Sequence, residues 1–172
     1  MRTVNGFVER KPELTETPAL AIPEGYSVRA ADPEDLSAIL SVLKPFVQQR
    51  VILRRTRSEV QALIPTGFVV LHGQEIVGFS SVEVYSKKLD EIQCLAVSES
   101  HQGKGLGGVL VSHCMHLARQ LGVMDVLAIS SSDLVLISQG FDYALPNQKK
   151  ALFLQLRSRE EVYRELEEAG EE

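Results

Sequence analysis

The chain has 172 residues, 44% of them apolar and 24% charged, which suits one globular domain with a sizeable core. Its formal net charge of -5 argues against a general binder of nucleic acid or acidic membranes, which carries a basic face. Two cysteines, Cys94 and Cys114, make no disulfide framework and read as buried free thiols, and no apolar run approaches the roughly 20 residues of a membrane span. The expectation is a cytoplasmic chain without nucleic-acid or membrane partners.

Residues 1–25 read as an N-terminal arm, punctuated by Pro12, Pro18 and Pro23 and lacking the apolar core of a signal peptide. The main domain is expected over 26–157, opening with a strand, YSVRA, at 26–30. Asp32-Pro33-Glu34-Asp35 predicts a helix start, with Asp as N-cap, Pro in the first turn and acids near the positive dipole end. Leu36, Ile39, Leu40 and Leu43 supply its buried stripe, and Pro45 should end or kink it. Thr56-Arg57-Ser58-Glu59 is a capping box that opens a second helix, stopped by Pro65-Thr66-Gly67. Apolar runs at 68–72, 75–85 and 90–97, joined by short turns, predict antiparallel strands.

The segment HQGKGLGG (101–108) follows, and then a stripe of Leu106, Leu110, Cys114, Leu117, Ala118 and Leu121 that predicts a helix closed by Gly122. VMDVLAIS (123–130) predicts a buried strand, Asp133–Gln139 a short helix ended by Gly140, and ALFLQL (151–156) a last strand. Ser158-Arg159-Glu160-Glu161 is a third helix-opening box, at the head of a charged C-terminal helix or tail over 158–172. The sum is an α/β (α+β) domain, with a mixed, mostly antiparallel sheet flanked by helices.

Four glycines in eight residues, between a strand and a helix, admit three readings. A dinucleotide fingerprint fits the literal G-x-G-x-x-G but belongs in an early βαβ unit with an acid closing the next strand, whereas Asp125 opens its strand. A simple tight turn needs fewer glycines. A cradle for a diphosphate needs them: successive N–H groups at a helix N-terminus bind anions, and bare backbone lets the ligand approach. Lys104 adds a cation, and the preceding strand can present its backbone to the rest of the ligand.

Cys94-Leu95-Ala96-Val97 followed by Gln102-Gly103-Lys104-Gly105-Leu106-Gly107 resembles motif A of the GNAT N-acetyltransferases, Q/R-x-x-G-x-G/A, with Gln102, Gly105 and Gly107 at the defining positions. The order of elements from 26 to 156 also resembles the GNAT fold. The resemblance implies that residues 102–108, Gly108 included, hold the pyrophosphate of acetyl-CoA as cosubstrate, and that Cys94–Val97 pairs with its pantetheine arm. Glu99 departs from the Pro that many members carry. Three stretches are similar to the acetyltransferase domain of N-acetylglutamate synthases: VILRRTRSEVQ at 51–61, Glu91 to Val97, and LPNQKKALFLQLRS at 145–158. The resemblance is to a short, stand-alone form, and its implied reaction is acetyl transfer to the amine of a small substrate, with L-glutamate foremost.

The residues agree in kind with that chemistry. An amine must be neutral to attack a thioester, and Glu91, where the resemblance puts the family's base, can accept the proton directly or through water. Backbone N–H groups of Cys94–Ala96 would face the oxyanion. A dicarboxylic acceptor needs cations, which Arg54 or Arg55 and Lys149 or Lys150 offer. Ser130 can supply a hydroxyl near the acceptor or thiolate. The family's T-T-R-type end of the fifth strand reads Ile129-Ser130-Ser131 here, and the Tyr that many members use to protonate the thiolate is missing from 134–139, Tyr143 being the nearest. His113 and His116 are three apart with no supporting ligand pair, so no metal site is expected. His101 is expected to face water. Another amine (a different amino acid, a polyamine or a peptide N-terminus) and a non-catalytic CoA-binding module are the alternatives. The oligomeric state is open, a homodimer among the options.

Overall fold

The computed structural model describes residues 20–143, 150 and 152–168. Most of the expected arm, residues 1–19, and Lys149 lie outside the described residues. Five strands form one sheet in chain order: β1 (Tyr26–Ala30), β2 (Gly67–His72), β3 (Glu75–Ser86), β4 (Leu89–Val97) and β5 (Asp125–Ala128). Neighbours are antiparallel except β4 and β5, which run parallel because helix α3 (Leu106–Gln120) carries the chain back between them.

Helices α1 (Leu36–Gln48) and α2 (Arg57–Leu63) cover one face of the sheet and α3 the other. The strand period of two sorts β2 between them: Val69 joins Ile39, Leu43, Val60, Leu63 and Phe79, while Phe68 and Val70 join Val77, Val82, Leu110 and Cys114. With both faces covered, the central strands read as continuous apolar runs, and each fully buried Val, Leu, Ile or Phe contributes about 1.5–3 kcal/mol. Cys94 and Cys114 are buried free thiols, as their setting in the sequence implied.

The capping predictions hold in atomic detail. Thr56 accepts from the Glu59 N–H while Glu59 accepts from the Thr56 N–H at 2.6 Å. Asp32 and Asp35 form the same reciprocal pair ahead of α1, where Asp35 also takes Arg29 at 2.6 Å. Ser158 and Glu161 do so at the head of α5 (Arg159–Glu168). Gly122 and Gly140 close α3 and α4 (Leu134–Ser138) in the left-handed region.

Three expectations are corrected. Of the two outcomes expected at Pro45, ending the helix does not occur: α1 continues to Gln48, with one N–H fewer in its ladder. The strand expected over 123–130 pairs only over Asp125–Ala128 and is half-buried, since β5 is the sheet edge. The strand expected over 151–156 does not form at 152–156, where Leu152 and Leu154 are 92% and 83% exposed; Ala151 is not described. An apolar run needs a partner edge to become a strand, and none pairs with it among the described residues.

Candidate functional site

β4 is irregular at the point where the site opens. Phe79 pairs with Ala96 and Ser81 with Gln93, so Ser80 alone opposes two residues, Cys94 and Leu95. This is a β-bulge, and Cys94 carries it with a φ of 55°. Ser80 Oγ donates to the Gln93 carbonyl at 3.2 Å and ties the bulge to β3. On its other side β4 pairs with β5 only from Leu89↔Asp125 to Ile92↔Ala128. Beyond Ile92 the two parallel strands part, and the backbone of Gln93–Val97 is left unpaired on that edge among the described residues.

A cleft of about 930 Å³ occupies the gap. Its floor is the β4 run Glu91–Val97; one end is the glycine loop, and its walls include Arg50–Leu53, Arg55, Tyr85, Ser130 and Arg159. Of the expected coenzyme residues, Cys94–Val97, Gln102, Gly103 and Gly105–Gly108 all line it. Lys104 does not; its ammonium donates to the Ser100 carbonyl at 3.1 Å and is exposed.

The loop is shaped by two left-handed residues, Gly103 at φ 74° and Gly105 at φ 79°, and a Cβ at either would meet nothing within 4 Å. Glycine is therefore required there by conformation, not by crowding. The Gln102 amide donates to the Val97 carbonyl at 2.8 Å and closes the loop on the end of β4, so its side chain shapes the cradle. The first intrahelical bond of α3 runs from the Val109 N–H to the Gly105 carbonyl, which leaves the N–H groups of Leu106, Gly107 and Gly108 as first-turn donors at the positive end of a 15-residue helix. Glu99, in place of the expected Pro, opens a short 3-10 turn and accepts from Gln49 at 3.1 Å.

His101 does not simply face water. It is half-buried in the cleft wall, its Nδ1 2.9 Å from Tyr26 Oη, with the His72 ring 5.2 Å away.

On the α1–α2 face, Glu91 meets a chain of polar groups. Tyr85 Oη donates to Glu91 Oε2 at 2.5 Å and stands 3.3 Å from Glu83. Arg55 donates to Gln93 Oε1 at 2.6 Å and lies 3.6 Å from the Glu83 carboxylate. Burial and the neighbouring Glu91 push the Tyr85 phenol far above its ordinary value, so it remains a donor. Burial pushes the Cys94 thiol up to about 11, which leaves it a poor nucleophile. Tyr85 was missed in the sequence because a single tyrosine at a strand end carries no periodic signal.

The two arginines separate. Arg55 lines the cleft; Arg54 points away from it to Glu167 at 3.2 Å, and its N–H donates to Tyr163 Oη at 2.6 Å. Lys150 is exposed and lines no part of the cleft. Ser130 lies past the end of β5, where its hydroxyl donates to the Ser132 carbonyl at 2.5 Å and accepts from the Ser132 N–H; it lines the cleft but closes a local turn. Tyr143 donates to Asp133 and is not part of the cleft lining. A cation not anticipated is Arg159, at the head of α5: it lines the cleft and donates to the Arg50 carbonyl at 3.1 Å. Arg50 itself is left-handed, at φ 58°, and its side chain pairs with Glu160 at 2.9 Å. His113 is buried and bonded to the Val109 carbonyl, and among the described residues no group of three or more His, Cys, Asp or Glu could hold a metal ion.

A parted β4–β5 pair with a bulge, beside a glycine loop that opens a helix, defines a GNAT-type fold. The sequence profile of the acetyltransferase (GNAT) family matches residues 34–138, more than half of the chain, and the chain belongs to that family. An amino-acid acetyltransferase of Photorhabdus laumondii is 26% identical over 132 residues, 73% of this chain and 30% of its own length. An uncharacterised N-acetyltransferase of Chlorobaculum tepidum is 29% identical over 103 residues, 60% of this chain and 66% of its own. The N-acetylglutamate synthase from Neisseria gonorrhoeae, solved with coenzyme A and N-acetyl-glutamate, superposes with a TM-score of 0.65 at 24% identity, over 84% of this chain and 33% of that one, a likeness of fold. The chain spans under a third of the length of the amino-acid acetyltransferases it matches first.

Proposed function

We propose that this chain transfers an acetyl group from acetyl-CoA to the primary amine of a small amino acid, with L-glutamate the leading acceptor. The observation that carries the donor half is the loop of Gly103–Gly108 against the open edge of β4. First-turn N–H groups and the α3 dipole suit a diphosphate, and the unpaired Gln93–Val97 backbone suits an extended amide-bearing arm. Family membership and relatives named amino-acid acetyltransferases support the acceptor half.

In this reading Glu91 takes a proton from the acceptor ammonium, and the neutral amine attacks the thioester carbon. The carbonyl oxygen becomes an oxyanion beside the bulge, where Cys94–Ala96 provide backbone N–H groups. Collapse breaks the carbon–sulfur bond, and the proton shed by the attacking nitrogen passes to the thiolate, directly or through water, so that CoA leaves as its thiol. For a carboxylate-bearing acceptor the geometry favours Arg159 over the arginine pair expected from sequence, since it lines the cleft and donates to a backbone carbonyl, whereas Arg55 lies beside Glu83 and Arg54 beside Glu167. Glu83, which offsets the charge of the cleft-lining Arg55, favours the second reading, an acceptor amine without a side-chain carboxylate.

Thiol release from acetyl-CoA at pH 7.5, with L-glutamate, L-glutamine and putrescine, separates these readings. Turnover with L-glutamate, lost by about 10²–10⁴-fold in Glu91→Gln, supports the proposal. Acetyl-CoA binding without turnover on any amine would overturn it, and turnover on putrescine alone would replace the acceptor.

A further inference from the structure

β3 and β4 place Glu83 and Glu91 directly opposite each other. Like charges in that arrangement repel. Two neighbours answer this: Arg55 stands 3.6 Å from Glu83, and Tyr85 donates to Glu91 at 2.5 Å. Tyr85 is an irregularity of its own, because Val84 pairs with Asp90 and Ser86 with Leu89, so it is the extra residue of a second bulge. A bulge re-aims a side chain, and here the phenol is brought within reach of both acids, 2.5 Å from one and 3.3 Å from the other. One O–H donates one proton, and the shorter contact takes it.

We infer that Tyr85 is a positioning residue for Glu91: its hydroxyl fixes the Glu91 carboxylate at the cleft wall and shields it from Glu83, so that one oxygen remains to receive the acceptor's proton. This rests on Glu91 being the base. Oε2 of Glu91 is held by Tyr85, and no hydrogen bond reaches its second oxygen among the described residues, so the carboxylate has one anchored and one open side. Tyr85 and Glu91 both line the cleft, and Tyr85 is 51% exposed, so its ring is not a core element. From the other neighbouring strand Glu91 faces Leu127, which carries no charge. Among the described residues, the remaining ionisable groups of the cleft wall are Arg50, Arg55, Cys94, His101 and Arg159. The phenol's high ionisation range keeps it protonated wherever the enzyme works, which makes it a standing donor rather than a proton relay to the thiolate.

The test is the pH profile of kcat/KM for the best acceptor in wild type, Tyr85→Phe and Tyr85→Phe/Glu83→Gln, with melting curves to confirm that each is folded. Tyr85→Phe should lower kcat/KM at pH 7 about tenfold, the loss of one charge-assisted hydrogen bond, and move the acid limb up by about one pH unit. The KM for acetyl-CoA should not change. Adding Glu83→Gln removes the opposing charge and should bring the limb most of the way back. An unmoved limb in Tyr85→Phe, or no response to Glu83→Gln in its background, would overturn the inference even with Glu91→Gln inactive. Full turnover in Glu91→Gln would instead remove the base assignment itself.

Discussion

Asp90 is fully enclosed on the face of β4 opposite Glu91, and neither of its carboxylate oxygens has a hydrogen-bond partner among the described residues. The Tyr85 backbone, which favours the charged form, falls short of hydrogen-bond geometry, and burial raises the acid from 3.8 to about 6. A carboxyl raised by about two units binds its proton more tightly folded than unfolded, which corresponds to at most about 3 kcal/mol. The sign follows: this contribution is fully present below about pH 4, is lost as the pH rises through about 6, and is absent above that. Asp90→Asn removes the titration but leaves a buried amide, which shifts stability by a constant. Urea denaturation of both proteins from pH 4.5 to 7.5 cancels the other carboxylates in the difference. The variant should gain on wild type by about 1–3 kcal/mol across that range, most of it before pH 6.5. A difference that stays flat with pH would refute the claim that a carboxyl is trapped there without partners.

Gly105→Ala places a Cβ on a residue at φ 79°, a conformation that disfavours L side chains by about 1–2 kcal/mol. If the loop relaxes when empty, CoA affinity measured by calorimetry should fall about five- to thirty-fold with no change in the acceptor's KM. Arg159→Gln should raise the KM for L-glutamate about tenfold while leaving CoA affinity intact, and the same change at Arg54, whose side chain is directed at Glu167, should raise it less.

Much of the fold was legible because local chemistry and tertiary packing agree. Asp32, Thr56 and Ser158 cap the turns and helices that their sequence boxes announce, and Leu110 and Cys114 lie on the stripe that their spacing predicts. The glycine loop was legible for the same reason, since left-handed residues at 103 and 105 leave few choices of side chain. What escaped depends on contacts distant in sequence. Nothing in Glu91 to Val97 announces a bulge at Cys94, which arises from its register against Ser80. Adjacent arginines in an irregular segment have no period, so the division of Arg54 toward α5 and Arg55 toward the cleft could not be read from their spacing. Arg159 reaches the cleft only because α5 docks against Arg50. The apolar run at 152–156 has strand composition without a strand, which shows the limit of pattern where pairing decides.

In the proposed function, the gap between β4 and β5 holds the acetyl donor with its reacting end beside Glu91. A crystal structure of the chain with CoA tests it most directly. The diphosphate should lie on the N–H groups of Gly103–Gly108, the extended arm along Gln93–Val97 and the thiol at the Cys94 bulge, within reach of the Glu91 side of the cleft. A coenzyme bound elsewhere, or a thiol directed away from Glu91, would contradict it.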